Sequence, residues 1–245
     1  FRAGGHGSLL PNLNELKADI VFIQNIDNIA IDPRAAIRCR KALGGYLVEL
    51  QARVFEYLDG LHPGATTSFL DEVFHFARTV LSVTLSERVV QTPARVRFLR
   101  EALDRPLRVC GMVPVAGESG GGPFWVRGTD GACSLQIVES SQVDMEEPHQ
   151  RETFAVSTHF NPVDLVCGVR DGSGVCFDLM GFGDTRSAIV SIKSNGEGRF
   201  KVLEHPGLWN GGMAQWNTVF VELPPETFTP VKTVLDLLRP EHQAR

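Results

Sequence analysis

Residues 1–28 read FRAGGHGSLLPNLNELKADIVFIQNIDN, and this stretch carries the fold assignment. Gly4, Gly5 and Gly7 surround His6, an apolar run follows from Ile20 to Ile23, and Asn25, Asp27 and Asn28 close it. A continuous apolar run of this length suits a strand buried on both faces, as in a parallel sheet. Ligands of open α/β sheets sit beyond the carboxyl ends of such strands, where Asn25, Asp27 and Asn28 fall. An aspartate there suits Mg²⁺, which takes oxygen ligands and bridges phosphates. An Asx-turn at the strand exit is the alternative. Glycines flanking His6 let the backbone approach a flat or anionic ligand, because no Cβ intervenes. A plain glycine turn ahead of a helix is the other reading.

Outward from this stretch, Leu9, Leu10, Leu13 and Leu16 share a helical face, with Pro11 near the first turn. Residues 34–59 repeat Ile37, Leu43, Leu47, Leu50, Val54 and Leu58 at helical spacing, and Gly44-Gly45 either kinks that helix or lets a neighbour pack close. Ser68 with Asp71 resembles a capping box ahead of a stripe made by Val73, Phe74, Ala77, Val80 and Leu81. Residues 95–104 predict a third helix. Beyond Arg105 the pattern turns to short strands between glycines: 106–113, 133–143, 153–160, 164–171, 174–180, 187–193 and 217–223. Residues 230–238 predict a short closing helix with Lys232 near its start. The expected fold is mixed α/β: one domain over 1–245, with a mainly parallel sheet flanked by helices and added antiparallel strands.

A chain of 245 residues buries one good core, or one core with a smaller lobe. Its net charge of −5 argues against nucleic acid as the main partner, since binding a phosphate backbone wants a basic face. A small phosphorylated ligand needs only a few local cations. No apolar run reaches the ~18–20 residues of a membrane helix, and residues 1–28 contain no basic region followed by a long apolar stretch. The five cysteines (Cys39, Cys110, Cys133, Cys167, Cys176) have no CxxC spacing, so buried thiols in a reducing cytosol are expected. The histidines show no zinc-binding spacing. In 117–126, GESGGGPFWV, the Gly-Lys-Ser/Thr ending of a phosphate loop is absent. Its glycines wrap a sugar or phosphate, with Trp125 stacking on a sugar face, or they form a hairpin. Trp209, Asn210, Trp216 and Asn217 make an aromatic-and-amide mix that suits sugars or a packed loop. His159 is expected beside Asn161 in the pocket.

Taken in order, "GGHG", "DIVFIQNIDN", "SLQIVESSQV", "STHFNPVDLV" and "FTPVKTVLDLL" resemble segments of the UDP-sugar pyrophosphorylases, uridylyltransferases acting on sugar 1-phosphates. The whole chain more nearly resembles a bacterial family known as domain of unknown function 4301. The motifs carrying that likeness include "STHFNPVDLVCGVRD", "PGLWNGGMAQWNT" and "TFTPVKTVLDLLRPEHQ". The pyrophosphorylase likeness implies a nucleotide-diphospho-sugar transferase-like fold and a nucleotidyltransferase that joins UTP to a sugar 1-phosphate with release of pyrophosphate. It implies Gly5, His6 and Gly7 on the nucleotide, Asp27 on Mg²⁺, and Asn25, Glu139 and Asn161 on the sugar. Lys232 is then the catalytic cation on phosphate. The family's opening strand and glycine-rich loop have no counterpart in the sequence, and residue 1 is not Met. An N-terminally truncated chain, inactive alone and lacking the first βαβ unit, is the expectation. Two alternatives stay open: a non-catalytic sugar-nucleotide-binding protein, or a UDP-sugar-dependent glycosyltransferase, for which no Asp-x-Asp motif is seen. A cytoplasmic location is expected.

Overall fold

The computed structural model of the protein describes residues 5–29, 32–84, 92–115, 121–128, 131–196 and 198–243. Five strands form the main sheet: β1 (Ile20–Gln24), β2 (Leu107–Pro114), β5 (His159–Phe160), β6 (Asp164–Gly168) and β9 (Asn217–Glu222). Two hairpins stand apart from it, β3 (Gly122–Arg127) with β4 (Cys133–Val138), and β7 (Ile189–Asn195) with β8 (Gly198–Glu204).

The class is mixed α/β as expected, but the pairing differs from a mainly parallel sheet. Among the described residues only β2 and β9 pair in parallel, from Leu107↔Asn217 to Met112↔Glu222. β6 lies antiparallel between β1 and β2. One reversed strand thus separates two that run the same way, and β1, β2 and β9 all point their carboxyl ends in one direction. β1 is not buried on both faces. Among the described residues it pairs only with β6, and Phe22 is 53% exposed. An apolar run reports low polarity, not the number of strand neighbours.

Side chains alternate across a strand, so each sheet face builds its own core. Val109 and Val166 face α2 (Arg34–Gly60), α3 (Thr67–Thr79) and α4 (Thr92–Leu103), packing with Leu43, Leu47, Val73 and Leu99. Cys110, Leu165 and Cys167 face the other way, against Ile137 of β4, Met213, Trp216, and Leu10 and Leu13 of α1 (Leu10–Glu15). α2 runs unbroken through Gly44. A Cβ there would sit 3.1 Å from the Phe22 ring, so close packing rather than a kink explains this glycine. Leu9 and Leu16, expected on the buried face of α1, are exposed.

Several local expectations are corrected. The α3 cap is Thr66, whose Oγ1 accepts from Phe69 N–H at 3.2 Å, two residues before the Ser68 box. Residues 153–155 end α5 (Pro148–Ala155), and only His159–Phe160 of that segment are strand. Residues 179–182 form a 3-10 turn rather than a strand, while β8 was not read from sequence. All five cysteines are free thiols. Burial pushes Cys110 up to about 11 and raises Cys167 as well, so both are inert neutral thiols. Among the described residues no helix is long and apolar enough to cross a membrane.

Candidate functional site

His6 sits in a short 3-10 turn, and each of its ring nitrogens has a partner. Nδ1 accepts from Leu208 N–H at 2.8 Å, which leaves the neutral ring's proton on Nε2, 3.2 Å from Glu139 Oε1. Trp209 Nε1–H donates to that same oxygen at 3.1 Å. The His6 and Trp209 rings stack with centroids 3.8 Å apart. The glycines around His6 have a local reason. Gly5 has φ 74°, and a Cβ there would strike the Glu204 carboxylate; one on Gly7 would strike Pro206 O. The bare backbone is required by contact with 204–208 of the same chain.

Glu139 ends β4 and caps a 3-10 turn over Ser140–Gln142. Its carboxylate accepts from His6, Trp209 and the Gln142 backbone N–H. Three donors on a carboxylate with about four acceptor sites leave it one further hydroxyl to accept. The hydrogen bond from His6 holds its pKa below the usual range against the opposing push of burial. Nearby, Glu204 is held low by Lys193 at 2.9 Å and Ser191 at 2.7 Å.

A second group forms where β1 ends. The polar tip docks on the chain after β9: Val231 N–H donates to Asp27 O at 2.8 Å, Thr229 N–H to Asn28 Oδ1 at 2.9 Å, and Asn28 Nδ2 to Thr227 O at 3.1 Å. Asn28 and Pro230 form an isolated antiparallel bridge. Asp27 and Lys232 come from opposite ends of the chain, yet Lys232 directly follows the residue bonded to Asp27. Neither the Asp27 carboxylate nor the Lys232 ammonium has a hydrogen-bond or ion-pair partner among the described residues. A hollow of about 200 Å³, lined by Val113, Phe228, Thr229, Pro230 and Arg239, adjoins this segment.

The expected helix at Lys232 is instead a 3-10 turn over Val234–Leu238. Its start is already filled by an anion of its own, because Lys232 and Thr233 N–H donate to Asp236 Oδ2 at 3.0 and 2.7 Å. Helix-end charge therefore adds nothing for a ligand there. Asn25 is half-buried at the β1 exit. Asn161 is only 2% exposed, and both ends of its amide are used: Nδ2 donates to Gly111 O at 2.6 Å, and Oδ1 accepts from Val163 N–H at 3.2 Å. It braces an irregularity in which three steps along β2, Cys110 to Val113, face five from Phe160 to Leu165. Val163 there has φ 55°, a strained value for a β-branched residue.

His159 pairs with Glu222 at 3.1 Å. Asn210, Trp216 and Asn217 are buried packing residues, so only Trp209 of that aromatic-and-amide mix reaches the candidate groups. Residues 117–120 of the glycine-rich loop lie outside the described residues. Gly121 accepts from Asn161 N–H at 2.9 Å, and a Cβ on it would touch Glu139 Cγ. This places Glu139 near the carboxyl end of β2, the same end of the sheet as Asp27 and Lys232. No group of three or more His, Cys, Asp or Glu able to hold a metal occurs among the described residues. The lone Asp27 carboxylate fits a Mg²⁺ ion that takes its remaining ligands from water and phosphate. Sequence reasoning missed the bridging amide of Gln142, whose Oε1 accepts from Glu139 N–H at 3.0 Å and Asn210 Nδ2 at 2.9 Å. It also missed Arg108, buried at 0% exposure with no carboxylate partner among the described residues.

Residues 1–243 match the family described as Domain of unknown function (DUF4301). The chain belongs to this family. The DUF4301 chain also has neighbours among solved structures. A UDP-glucose pyrophosphorylase from Leishmania major, in complex with UDP-glucose, is 18% identical at a TM-score of 0.35, covering 65% of this chain and 34% of that one. A UDP-glucose phosphorylase from Trypanosoma brucei is 18% identical at a TM-score of 0.37, covering 65% and 33%. The DUF4301 chain thus spans about a third of the length of these neighbours. A likeness of this size says nothing about activity. No curated protein matches the chain.

Proposed function

We propose that this DUF4301 chain carries the sugar-nucleotide site of a nucleotidyltransferase, one that joins UTP to a sugar 1-phosphate and releases pyrophosphate. The observation that carries this reading is the docking of the β1 tip on 227–231. It brings the Asp27 backbone against Val231, one residue before Lys232, and both side chains are without a partner among the described residues, at the edge where β1, β2 and β9 point their carboxyl ends. Ligands of α/β sheets bind at that edge.

In the proposed reaction a phosphate oxygen of the sugar 1-phosphate attacks the α-phosphorus of UTP. The bond from that phosphorus to the β-phosphate's bridging oxygen breaks. Such chemistry needs in-line positioning and positive charge more than covalent help. Lys232 neutralises phosphate charge as it shifts. Asp27 would hold a Mg²⁺ ion, which when bound supplies further charge neutralisation. Gly5, exposed at the start of the turn, would present backbone toward the nucleotide, while Gly7, buried against Pro206, and His6 hold the loop. Glu139 has one acceptor site left for a sugar hydroxyl, and Asn25, half-buried at the β1 exit, would add an amide. Asn161 acts from behind, by shaping the backbone.

A second reading is binding without turnover. Thermal-shift measurements with UTP, UDP-glucose and UDP-N-acetylglucosamine, with and without MgCl₂, test the shared site. A ligand at about 100 times its Kd should stabilise the fold by about 2.7 kcal/mol. No shift with any of the three contradicts both readings. A shift without pyrophosphate release from UTP and glucose 1-phosphate selects the second.

A further inference from the structure

We propose that the β7–β8 hairpin is a docking arm, and that it seats against residues 144–156 of a second copy of this chain while that copy's arm seats here. The hairpin stands apart from the main sheet. Its register sets Val190 opposite Leu203, Ile192 opposite Lys201 and Ser194 opposite Arg199. Side chains alternate across a strand, so these residues share one face. The face is apolar toward the root of the hairpin, where Val190, Leu203 and Ile192 are each more than half exposed. It is cationic toward the tip. Neither Lys201 nor Arg199 has a hydrogen-bond or ion-pair partner among the described residues, whereas Lys193 on the opposite face is held by Glu204 at 2.9 Å. A two-stranded ribbon is marginal by itself, and an apolar face of this kind gains from cover.

What fits that face is apolar and acidic, and the chain itself presents such a surface. Its net charge is −5, yet residues 189–203 hold Lys193, Arg199 and Lys201 against one carboxylate, Glu197. Residues 144–152 hold Asp144, Glu146, Glu147 and Glu152 against Arg151, which bends back to Met145 O at 3.1 Å. None of these carboxylates has an ion-pair partner among the described residues. Met145 and Val156 are exposed beside them, and Glu152 and Val156, four apart at the end of α5, share a face. Val190 at the arm's root and His149 of α5 border one cleft, so arm and seat lie on the same side of the molecule. A two-fold axis beside that cleft lets each arm reach the other copy's seat, which closes the pair instead of building a filament. Strands of seven residues make a ribbon face about 23 Å long and about 10 Å wide. Two such contacts cover on the order of 1,000 Å² over both copies, close to the ~1,200 Å² at which standard interfaces begin.

Neither arm nor seat contains Asp27 or Lys232, so the proposal does not rest on the nucleotide reading. Sedimentation velocity of the full chain across micromolar concentrations should show a monomer–dimer equilibrium. Its dissociation constant should rise about tenfold or more between low salt and about 0.5 M NaCl, because exposed charges are screened. Two charge reversals test the pairing. Arg199→Glu with Lys201→Glu should be monomeric, and so should Glu146→Lys with Glu152→Lys. All four positions are exposed, so both variants should melt as wild type does. Mixed one to one, the two variants should form a heterodimer, because the reversed arm then meets the reversed seat and the native arm the native seat. A dimer that shows no response to UDP-glucose leaves this proposal standing and refutes the nucleotide reading. A wild type that stays monomeric overturns the proposal, which is also the outcome if the arm serves an anionic membrane or a different acidic protein. So does a dimer that either reversal leaves intact, or a mixture of the two variants that stays monomeric.

Discussion

The imidazole of His6 lies flat on the indole of Trp209, 3.8 Å between centroids and 5° from parallel, while both rings donate to one oxygen of Glu139. This contact closes the front of the chain onto a loop some two hundred residues later and fixes the glycine loop beside the β4 exit. A stacked pair is worth about 0.5–1.5 kcal/mol beyond its area. A double-mutant cycle with His6→Ala and Trp209→Ala should therefore return a coupling of about 1 kcal/mol in urea denaturation. Additive effects would mean the rings merely lie near one another.

Acid stability should carry the mark of Glu139. Its pKa is lowered in the folded protein from the usual 4.5, mainly by the hydrogen bond from His6. As pH falls, the unfolded chain takes up this proton first. The stabilisation is full above about 4.5 and is lost as pH drops through the lower folded value. In Glu139→Gln the urea midpoint should fall less steeply with acid below that point. Identical acid limbs for the two proteins would refute the role assigned to this carboxylate.

Arg108 tests a different balance. Its guanidinium is fully buried and donates to Thr218 Oγ1 at 2.8 Å and to Trp209 O, and burial pulls its pKa down. Replacing it by an apolar chain removes the cost of burying the charge but leaves Thr218 Oγ1 and Trp209 O without their donor, at about 1–3 kcal/mol each. Arg108→Met should therefore lower the melting temperature modestly, whereas Arg108→Ala, which also opens a cavity, should lose about 3 kcal/mol or more. Equal losses in both would show that the charge itself is needed.

Asn161 should behave as a brace. Asn161→Ala leaves Gly111 O and Val163 N–H without their bonds in a buried place, at a cost of about 1–3 kcal/mol each. Urea denaturation should register that loss, and a variant as stable as wild type would show that the strained Val163 backbone supports itself.

How much was legible in the sequence depended on the range of the signal. The apolar repeat of Leu43, Leu47, Leu50 and Val54 specified α2, because helical periodicity is local. The reversal of β6 between β1 and β2 was invisible, since residues 20–24 look the same beside a parallel or an antiparallel neighbour. Motif order gave His6 to the nucleotide and Glu139 to the sugar, but not the direct contact between them, nor Trp209 as its third member, whose only trace was an aromatic residue next to Asn210 and glycines. Asn161 was read as a ligand group because sequence shows an amide without showing that Gly111 and Val163 occupy it. Lys232 was placed at a helix start, and the side chain of Asp236 had already filled that position.

The reading of Asp27 and Lys232 as partners on phosphate stands or falls on ligand affinity. Calorimetric titration of UDP-glucose, with MgCl₂ present, into wild type, Asp27→Asn and Lys232→Ala is the most direct check. The account predicts measurable binding to wild type, weakened by about tenfold or more in each variant, with the Mg²⁺ dependence lost in Asp27→Asn. Equal affinity in all three proteins, or no binding to wild type, would contradict it.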